Sequence, residues 1–208
     1  MSPKHSIKNK TKISAIIFDW GGVFSRSGDP LKHPKLTGKI NMDLGTIIKR
    51  LGSIIGPFSK GKISSEEYWK KYAELLNIHE VSPEELRKHY LSFTPDPVMI
   101  NLLKSITSKH KVALLSNLNI DMKTAIIEKL KIDRYFKHMV FSNDVGLLKP
   151  DSASFKLVLK LLGTSPAETI FIDDEKENIE AAEKLGLRTI LFASAKQCRA
   201  ELKRFKII

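Results

Sequence analysis

The chain has 208 residues, 42% of them hydrophobic and 28% charged, with 11 Gly and 9 Pro, which excludes a fibrous or low-complexity protein. Its 35 Lys and Arg against 23 Asp and Glu give a net charge of +12, which concentrates anionic ligands near the surface. The single cysteine, Cys198, excludes an intrachain disulfide framework and a cysteine-rich zinc site. We therefore expect a cytoplasmic protein with one core domain that carries an insertion.

The distribution of charge and of apolar residues argues against two kinds of partner. Lys residues are spread through nearly every predicted helix and form no single stripe with interleaved aromatic side chains, so nucleic acid is not the expected partner. No run reaches the roughly 18 apolar residues that a membrane span needs, so no membrane partner is expected. Residues 1–12 lack the apolar segment of a secretory signal and are predicted to form a flexible basic arm.

Five apolar runs predict buried β-strands. They are residues 13–18, 112–115, 139–141, 169–172 and 188–192. Each adjoins a helical pattern, and strands that alternate with helices pair in parallel through right-handed crossovers. The sequence therefore predicts an α/β fold, a doubly wound parallel sheet built from residues 13–23 and 97–208.

Capping residues predict the helix boundaries in this core. The predicted caps are Asp96 before Pro97 for a helix through Ser108, Asp121 for the next helix, the segment 165–168 with its Pro at the first helical position, and Gly186 at a C-terminus.

Residues 24–96 have a different pattern, because they contain no strand-like run. Two capped helices are predicted there, one after Ser64 and one after Ser82, each with Glu three residues later. The aromatic residues of the first helix, Tyr68, Trp69 and Tyr72, have helical spacing that is typical of packing. We expect a small α-helical subdomain inserted after the first strand, with linkers at residues 25–28 and 95–97.

Polar side chains follow four of the predicted strands. They are Asp19; Ser116 and Asn117; Lys149, just beyond the third strand; and Asp173 with Asp174. Ligands bind outside the carboxyl ends of the strands in such sheets, so these residues are predicted to converge there. Taken singly, each also fits an ordinary turn or helix cap. Together, three carboxylates need a hard cation among them, and Mg²⁺ is the natural candidate.

This set of residues suits phosphoryl transfer. A carboxylate such as Asp19 on a Gly-rich turn is able to attack phosphorus. The backbone amides of Trp20 and Gly21, the hydroxyl of Ser116 and the ammonium of Lys149 are candidates for holding the phosphoryl oxygens.

Four segments carry a family resemblance. IIFDWGGV, LLSN, GLLKPD and FIDDEKENIEAAEKLG, in this order and with a helical insertion after the first, resemble the motifs of the haloacid dehalogenase-like hydrolase superfamily. The resemblance spans residues 13–193, and its last two segments are most similar to the branch with a bacterial glucose-1-phosphate phosphatase. It implies a Rossmann-like core and a helical C1 cap, which is formed by the inserted residues 24–96.

The resemblance also implies roles for the phosphate-binding residues. Asp19 would be the nucleophile, and Ser116 would bind the phosphoryl group on a turn shaped by Asn117. Lys149 would orient Asp19 and neutralise the transferring group.

A second set of roles concerns the metal. The resemblance implies that Asp19 and the backbone carbonyl of Gly21 bind Mg²⁺, that Asp174 is a further ligand, and that Asp173 ligates directly or through water. Asn178 would hold this loop from behind.

One departure affects the function that is expected. Phosphatases of the superfamily usually have a second Asp, as general acid and base, where this chain has Gly21. The implied function is a Mg²⁺-dependent phosphohydrolase that acts on a small phosphorylated metabolite, such as a sugar phosphate, through an aspartyl-phosphate intermediate. The alternatives are a 2-haloacid dehalogenase and a catalytically silent protein that binds a phosphorylated ligand or a partner. The candidates for a replacement acid are the cap histidines, His33, His79 and His89.

Overall fold

The structure is a computed structural model that describes residues 12–36 and 39–208. Apart from Lys12, the basic arm predicted at residues 1–12 lies outside the described residues. Within the described ranges, no helix combines the length and the apolar character that crossing a bilayer requires.

One parallel sheet forms the centre of the molecule. Its strands are β1 (Ala15–Phe18), β2 (Lys111–Ser116), β3 (His138–Phe141), β4 (Thr169–Asp173) and β5 (Arg188–Leu191). Their order across the sheet is β3-β2-β1-β4-β5, and every neighbouring pair is parallel. The strand order reverses beside β1, where a doubly wound sheet has its ligand crevice. The predicted α/β fold is confirmed.

Helices cover both faces of the sheet, and three more belong to the insertion. They are α1 (Leu44–Ser59), α2 (Ser65–Leu75), α3 (Pro83–Tyr90), α4 (Pro97–Thr107), α5 (Ile120–Leu130), α6 (Ser142–Val145), α7 (Ser152–Leu162), α8 (Lys176–Lys184) and α9 (Ala195–Arg204). Alternate residues of β1 point to opposite faces. Ile16 and Phe18 pack on the side of α4, α5 and α9, whereas Ala15 and Ile17 pack on the side of α7 and α8.

The predicted helix starts are partly right. Asp96 caps α4 by accepting hydrogen bonds from the backbone N–H groups of Val98 and Met99. The prediction that Asp121 opens the next helix is wrong, because α5 begins at Ile120 and its cap is Asn119.

The predicted capping box at residues 165–168 is present, with Pro166 at the first helical position, but it caps only a short element. This segment forms a single 3-10 turn, Pro166–Glu168, in which the Glu168 carboxylate accepts a hydrogen bond from the backbone N–H of Ser165. The turn cannot extend into a helix, because the next residues enter the fully buried strand β4.

The inserted helices α1, α2 and α3 have an apolar cluster of their own. Its buried members include Ile47, Leu51, Ile54, Phe58, Tyr68, Trp69, Tyr72, Leu76 and Leu86. The three aromatic residues of α2 therefore pack inside the insertion. Helix α1 has no counterpart among the predicted helices, since its Gly45, Gly52, Gly56 and Pro57 obscure the helical pattern.

The two linkers of the insertion run side by side. The backbone N–H of Gly28 donates to the Tyr90 carbonyl at 3.0 Å, and the N–H of Asp96 donates to the Phe24 carbonyl at 2.7 Å. Phe24 itself packs with the sheet and not with the inserted helices.

A buried carboxylate of the core receives three donors from the insertion. The Asp121 side chain accepts hydrogen bonds from Ser65 Oγ at 2.8 Å, Trp69 Nε1 at 2.8 Å and Arg87 Nε at 2.9 Å. We call these four residues the Asp121 junction. The Asp121 side chain is only 3% exposed. Its three hydrogen bonds connect α2 and α3 to the first turn of α5.

Candidate active site

A cleft of about 410 Å³ lies at the carboxyl ends of the strands. Its lining residues are Asp19, Gly21, Gly22, Arg26, Ser27, Ser116, Asn117, Leu118, Lys149, Asp174, Glu175 and Asn178. Most of the predicted site residues are among them, since β1, β2 and β4 end at this edge. Lys149 reaches it from the loop between α6 and α7.

Lys149 is buried between two carboxylates. Its Nζ lies 2.8 Å from Asp19 Oδ1 and 2.6 Å from Asp173 Oδ2, and its side chain is 2% exposed. Ser116 Oγ donates to the same Asp19 Oδ1 at 2.6 Å. Four residues from four separate segments thus form one hydrogen-bonded network, which we call the strand-end cluster: Asp19, Ser116, Lys149 and Asp173.

Burial and charge shift the pKa values in this cluster. Burial raises the pKa of Asp19, and the Asp173 carboxylate raises it further, although Lys149 acts in the opposite direction. Burial lowers the pKa of Lys149, but the charges of Asp19 and Asp173 outweigh this and raise it overall. Burial and the charge of Asp173 also raise the pKa of Asp174. Lys149 is therefore a fixed cation in a site with excess negative charge.

The excess charge makes the site suitable for a divalent cation. Asp19, Asp173 and Asp174 each offer a carboxylate oxygen within 4.8 Å of the other two. Three carboxylates and one ammonium leave two uncompensated negative charges, and burying them is costly without a cation. An all-oxygen donor set fits Mg²⁺.

Asn178 and Asn117 stabilise the cluster through hydrogen bonds. Asn178 Nδ2 lies 3.1 Å from both Asp173 oxygens and 3.0 Å from Glu175 Oε2. The Asn117 amide makes two 2.9 Å bonds with the backbone of Lys149, donating to its carbonyl and accepting from its N–H. Asn117 therefore fixes the loop that carries Lys149.

The turn after β1 brings its backbone against Asp174. Gly22 has a φ of +68°, and a Cβ atom there would lie 1.8 Å from Asp174 Oδ2. At Gly21 the nearest atom would be Asp19 Oδ2 at 3.9 Å. Trp20 is 1% exposed, its ring stacks on Phe24 with 5.3 Å between the centroids, and it is not among the lining residues of the cleft, so a contact of its backbone amide with a ligand stays a prediction.

Several cleft residues were not predicted as site residues. Arg26, Ser27, Leu118 and Glu175 line it, and the signal for Glu175 was its position directly after two site carboxylates. The histidines considered as replacement acids are not among the lining residues. Two of them, in the inserted segment, pack on each other, with the ring centroids of His33 and His89 5.2 Å apart.

Comparison with curated proteins finds relatives of several kinds. Sesquiterpene phosphatase astK of Aspergillus oryzae is 31% identical over 183 residues, which cover 85% of this chain and 88% of that protein. D-ribitol-5-phosphate phosphatase of Bacteroides thetaiotaomicron is 27% identical over 203 residues, covering 91% and 97%. Acyl-CoA dehydrogenase family member 10 of Mus musculus is 29% identical over 190 residues, but the chain spans only 17% of its length.

Solved structures match the whole fold. A crystal structure of a haloacid dehalogenase family enzyme from Bacteroides thetaiotaomicron has a TM-score of 0.80 at 25% identity, covering 93% of this chain and 99% of that one. A second structure of that enzyme, in complex with magnesium and inorganic phosphate, has a TM-score of 0.64 at 24% identity, covering 86% and 93%. The second likeness supports the fold alone.

The sequence profile of the family described as haloacid dehalogenase-like hydrolase matches residues 39–192. This match begins after Asp19, so the place of Asp19 in the site rests on the geometry above. The profile covers more than half of the chain, and the relative at 31% identity spans nearly the whole fold. This chain belongs to the haloacid dehalogenase-like hydrolase family.

Proposed function

We propose that this chain is a Mg²⁺-dependent phosphohydrolase that transfers the phosphoryl group of a small polar metabolite first to Asp19 and then to water. The observation that carries the proposal is the strand-end cluster, in which a buried ammonium and a hydroxyl hold one oxygen of a carboxylate at the edge of a polar cleft. The relatives named as phosphatases support the same class of reaction.

Asp19 is suited to act as the nucleophile through one particular oxygen. Ser116 and Lys149 both contact Oδ1, whereas no described residue donates a hydrogen bond to Oδ2. The two donors stabilise the carboxylate form and fix its orientation, which leaves Oδ2 directed at the turn that holds Gly21.

Asp19, Asp174 and the Gly21 carbonyl are the proposed ligands of Mg²⁺. When bound, the cation neutralises the phosphoryl oxygens and the excess negative charge of the site. Asp173 is less available for direct ligation, because Lys149, Asn178 and the Glu175 N–H already bond its oxygens. Its role in the proposal is to hold Lys149 and to contact the metal through water.

Lys149 and Ser116 have a second role in the proposed reaction, because they face the transferring group. In the proposal, their donors and the backbone amides of Trp20 and Gly21 stabilise the charge that develops on the phosphoryl oxygens. Since the ammonium is already desolvated and paired, little reorganisation accompanies the reaction.

The cleft lining argues for a small polar substrate. Leu118 is the sole apolar side chain among the described residues that line it, so the cleft suits a sugar or polyol phosphate, like the one in the name of the Bacteroides relative, better than an isoprenoid. Residues 24–96 are the proposed C1 cap, which closes over this ligand and excludes water.

Gly21 leaves the reaction without the usual acid. A missing positioned acid or base costs about 10²–10⁴-fold in rate, so we expect a preference for leaving groups of low pKa, such as acyl groups or a sugar 1-hydroxyl.

The test is phosphate release from sugar, acyl, nucleotide and aryl phosphates, with and without Mg²⁺. We expect turnover that requires the metal, falls to background in Asp19→Asn and persists in Asp133→Asn, which changes an exposed Asp outside the cleft. Undiminished turnover in Asp19→Asn would contradict the proposal. Metal-independent chloride release from 2-chloropropionate would instead support the dehalogenase, and ligand binding without turnover the silent protein.

A further inference from the structure

Arg26 is a cleft residue with no part in the proposed chemistry. It lies on the first linker of the insertion, and its side chain is 82% exposed. Its nearest ionic partner is Asp174, with 4.0 Å between Arg26 Nη2 and Asp174 Oδ2. A pair at this distance and exposure holds the guanidinium weakly.

The two cationic side chains among the described lining residues differ in what they are able to bind. Lys149 is 2% exposed and already bridges Asp19 and Asp173 at the bottom of the cleft. Arg26 lines the same cleft, next to Ser27 in the chain, and its side chain is largely exposed. A phosphoryl group placed against Asp19 would be met by Lys149, which leaves Arg26 as the cation available to the rest of the ligand.

The metal of the proposed function would make the Arg26 guanidinium still more available to a ligand. A divalent cation beside Asp174 would engage that carboxylate and repel the guanidinium, so the weak Arg26 pair would lose most of its attraction. The five donors of a guanidinium form a planar fork that matches carboxylate and phosphate oxygens. An anion on the ligand is therefore the partner that Arg26 suits best.

We propose that Arg26 binds a second anionic group on the leaving group, either a carboxylate or a second phosphate. The preferred substrates are then phosphate monoesters that carry an additional anionic group. This inference rests on the proposed function, since it assumes that the phosphoryl group is held at Asp19. It makes Arg26 a specificity-determining residue.

The experiment compares substrates that differ only in that group. The pairs are glucuronic acid 1-phosphate with glucose 1-phosphate, and glucose 1,6-bisphosphate with glucose 1-phosphate, all of which offer a sugar 1-hydroxyl as the leaving group. We expect Arg26→Gln to raise KM about tenfold for the more anionic member of a pair and to leave KM of the other member unchanged. A tenfold change is the size expected for the loss of a hydrogen-bonded charge that is partly solvated. Arg26→Lys should restore part of the preference, because it keeps the charge but loses the fork.

Arg204→Gln is the matched control, since Arg204 is 77% exposed, lies on α9 and pairs with Glu201 away from the cleft. It should leave both KM values unchanged. The inference is overturned if Arg26→Gln preserves the preference, or if it lowers kcat equally for both members, which would place Arg26 at the leaving oxygen or the metal.

Calorimetric binding separates this inference from the proposed function. The affinities of the same ligands are measured with Mg²⁺ in Asp19→Asn, with and without Arg26→Gln. If the wild type releases no phosphate from any substrate, the proposed function fails, yet the ratio of affinities still decides the role of Arg26. An equal ratio in the two proteins overturns the inference.

Discussion

Two buried carboxylate clusters of this molecule differ in how their charge is balanced. In the strand-end cluster, Asp19 and Asp173 share one cation, Lys149, and Asp174 adds a further negative charge beside them. In the Asp121 junction, one carboxylate meets one guanidinium and two neutral donors. The junction is complete within the chain, whereas the strand-end cluster is not.

This difference separates a binding role from a structural one. A self-sufficient cluster stabilises a contact and needs no ligand. A cluster with excess negative charge destabilises the protein when no ligand is bound. Binding of a cation, and of an anionic ligand after it, therefore stabilises the folded state. Burial raises the pKa values of Asp19 and Asp174, and the nearby charge of Asp173 raises them further. The comparison predicts that the two clusters respond differently to substitution.

Lys149→Met should have the largest effect on stability. It leaves Asp19 and Asp173 buried without their cation, and removing one partner of a buried pair costs about 3–5 kcal/mol. The pKa of Asp19, which burial raises, would rise further in the folded variant because the opposing charge of Lys149 is gone. A raised pKa in the folded state favours folding at low pH, so the deficit should be largest near neutral pH and shrink as Asp19 becomes protonated.

Urea unfolding of wild type and Lys149→Met at pH 7.5 and 5.5 measures this deficit. Lys160→Met, at an exposed position of α7, is the matched control and should behave like the wild type at both pH values. A deficit under about 1 kcal/mol, or one that grows as the pH falls, would contradict a cluster held by its single ammonium.

Asp121→Asn should have a smaller effect, confined to the junction. The amide keeps the shape of the carboxylate but removes the negative charge that Arg87 meets and one acceptor for Ser65 and Trp69. Because the Arg87 side chain is 34% exposed, the loss is discounted to about 2 kcal/mol. The physical expectation is a loosened contact between the insertion and α5, with an intact sheet.

Hydrogen exchange locates this effect. The amides of α2 and α3 should exchange faster in Asp121→Asn, while those of β1 and β4 keep their protection. Glu84→Gln removes the exposed partner of the same arginine, at 3.4 Å, and should change neither region. Faster exchange throughout the sheet would mean that Asp121 supports the core and not the junction.

The strand-end cluster was largely predictable from the sequence, and the junction was not. Asp19, Ser116 and Asp173 each stand at the end of a recognisable apolar run. Parallel strands bring their carboxyl ends to one edge of the sheet independently of the conformation of the loops. The sequence around Asp121 instead predicts a helix cap, since no neighbouring residue indicates a buried carboxylate with three donors. Its partners Trp69 and Ser65 lie 52 and 56 residues away in the chain, and such contacts leave no pattern in sequence.

Other misses have the same physical origin. Helix α1 was hidden by its glycines and Pro57, because its stability comes from packing of Leu51 and Phe58 in the insertion and not from local propensity. Arg26 reads as an ordinary linker residue, and its place in the cleft depends on how the two linkers run together. Sequence motifs identify the side chains of the proposed reaction, whereas tertiary contacts determine what surrounds them.

Gly22→Ala should have the smallest effect on stability and the most local one. A left-handed φ costs a residue with a Cβ about 1–2 kcal/mol, and the new atom would displace the Asp174 carboxylate, which lies 1.8 Å from its position. Gly21→Ala is the matched control, since its nearest contact is an ordinary 3.9 Å. Mg²⁺ titration by calorimetry should therefore show weakened binding in Gly22→Ala and near wild-type binding in Gly21→Ala. Equal losses of Mg²⁺ affinity in the two variants would mean that the close approach of the turn to Asp174 does not shape the metal site. The excess negative charge of the strand-end cluster and Asp174 would then account for metal binding by itself.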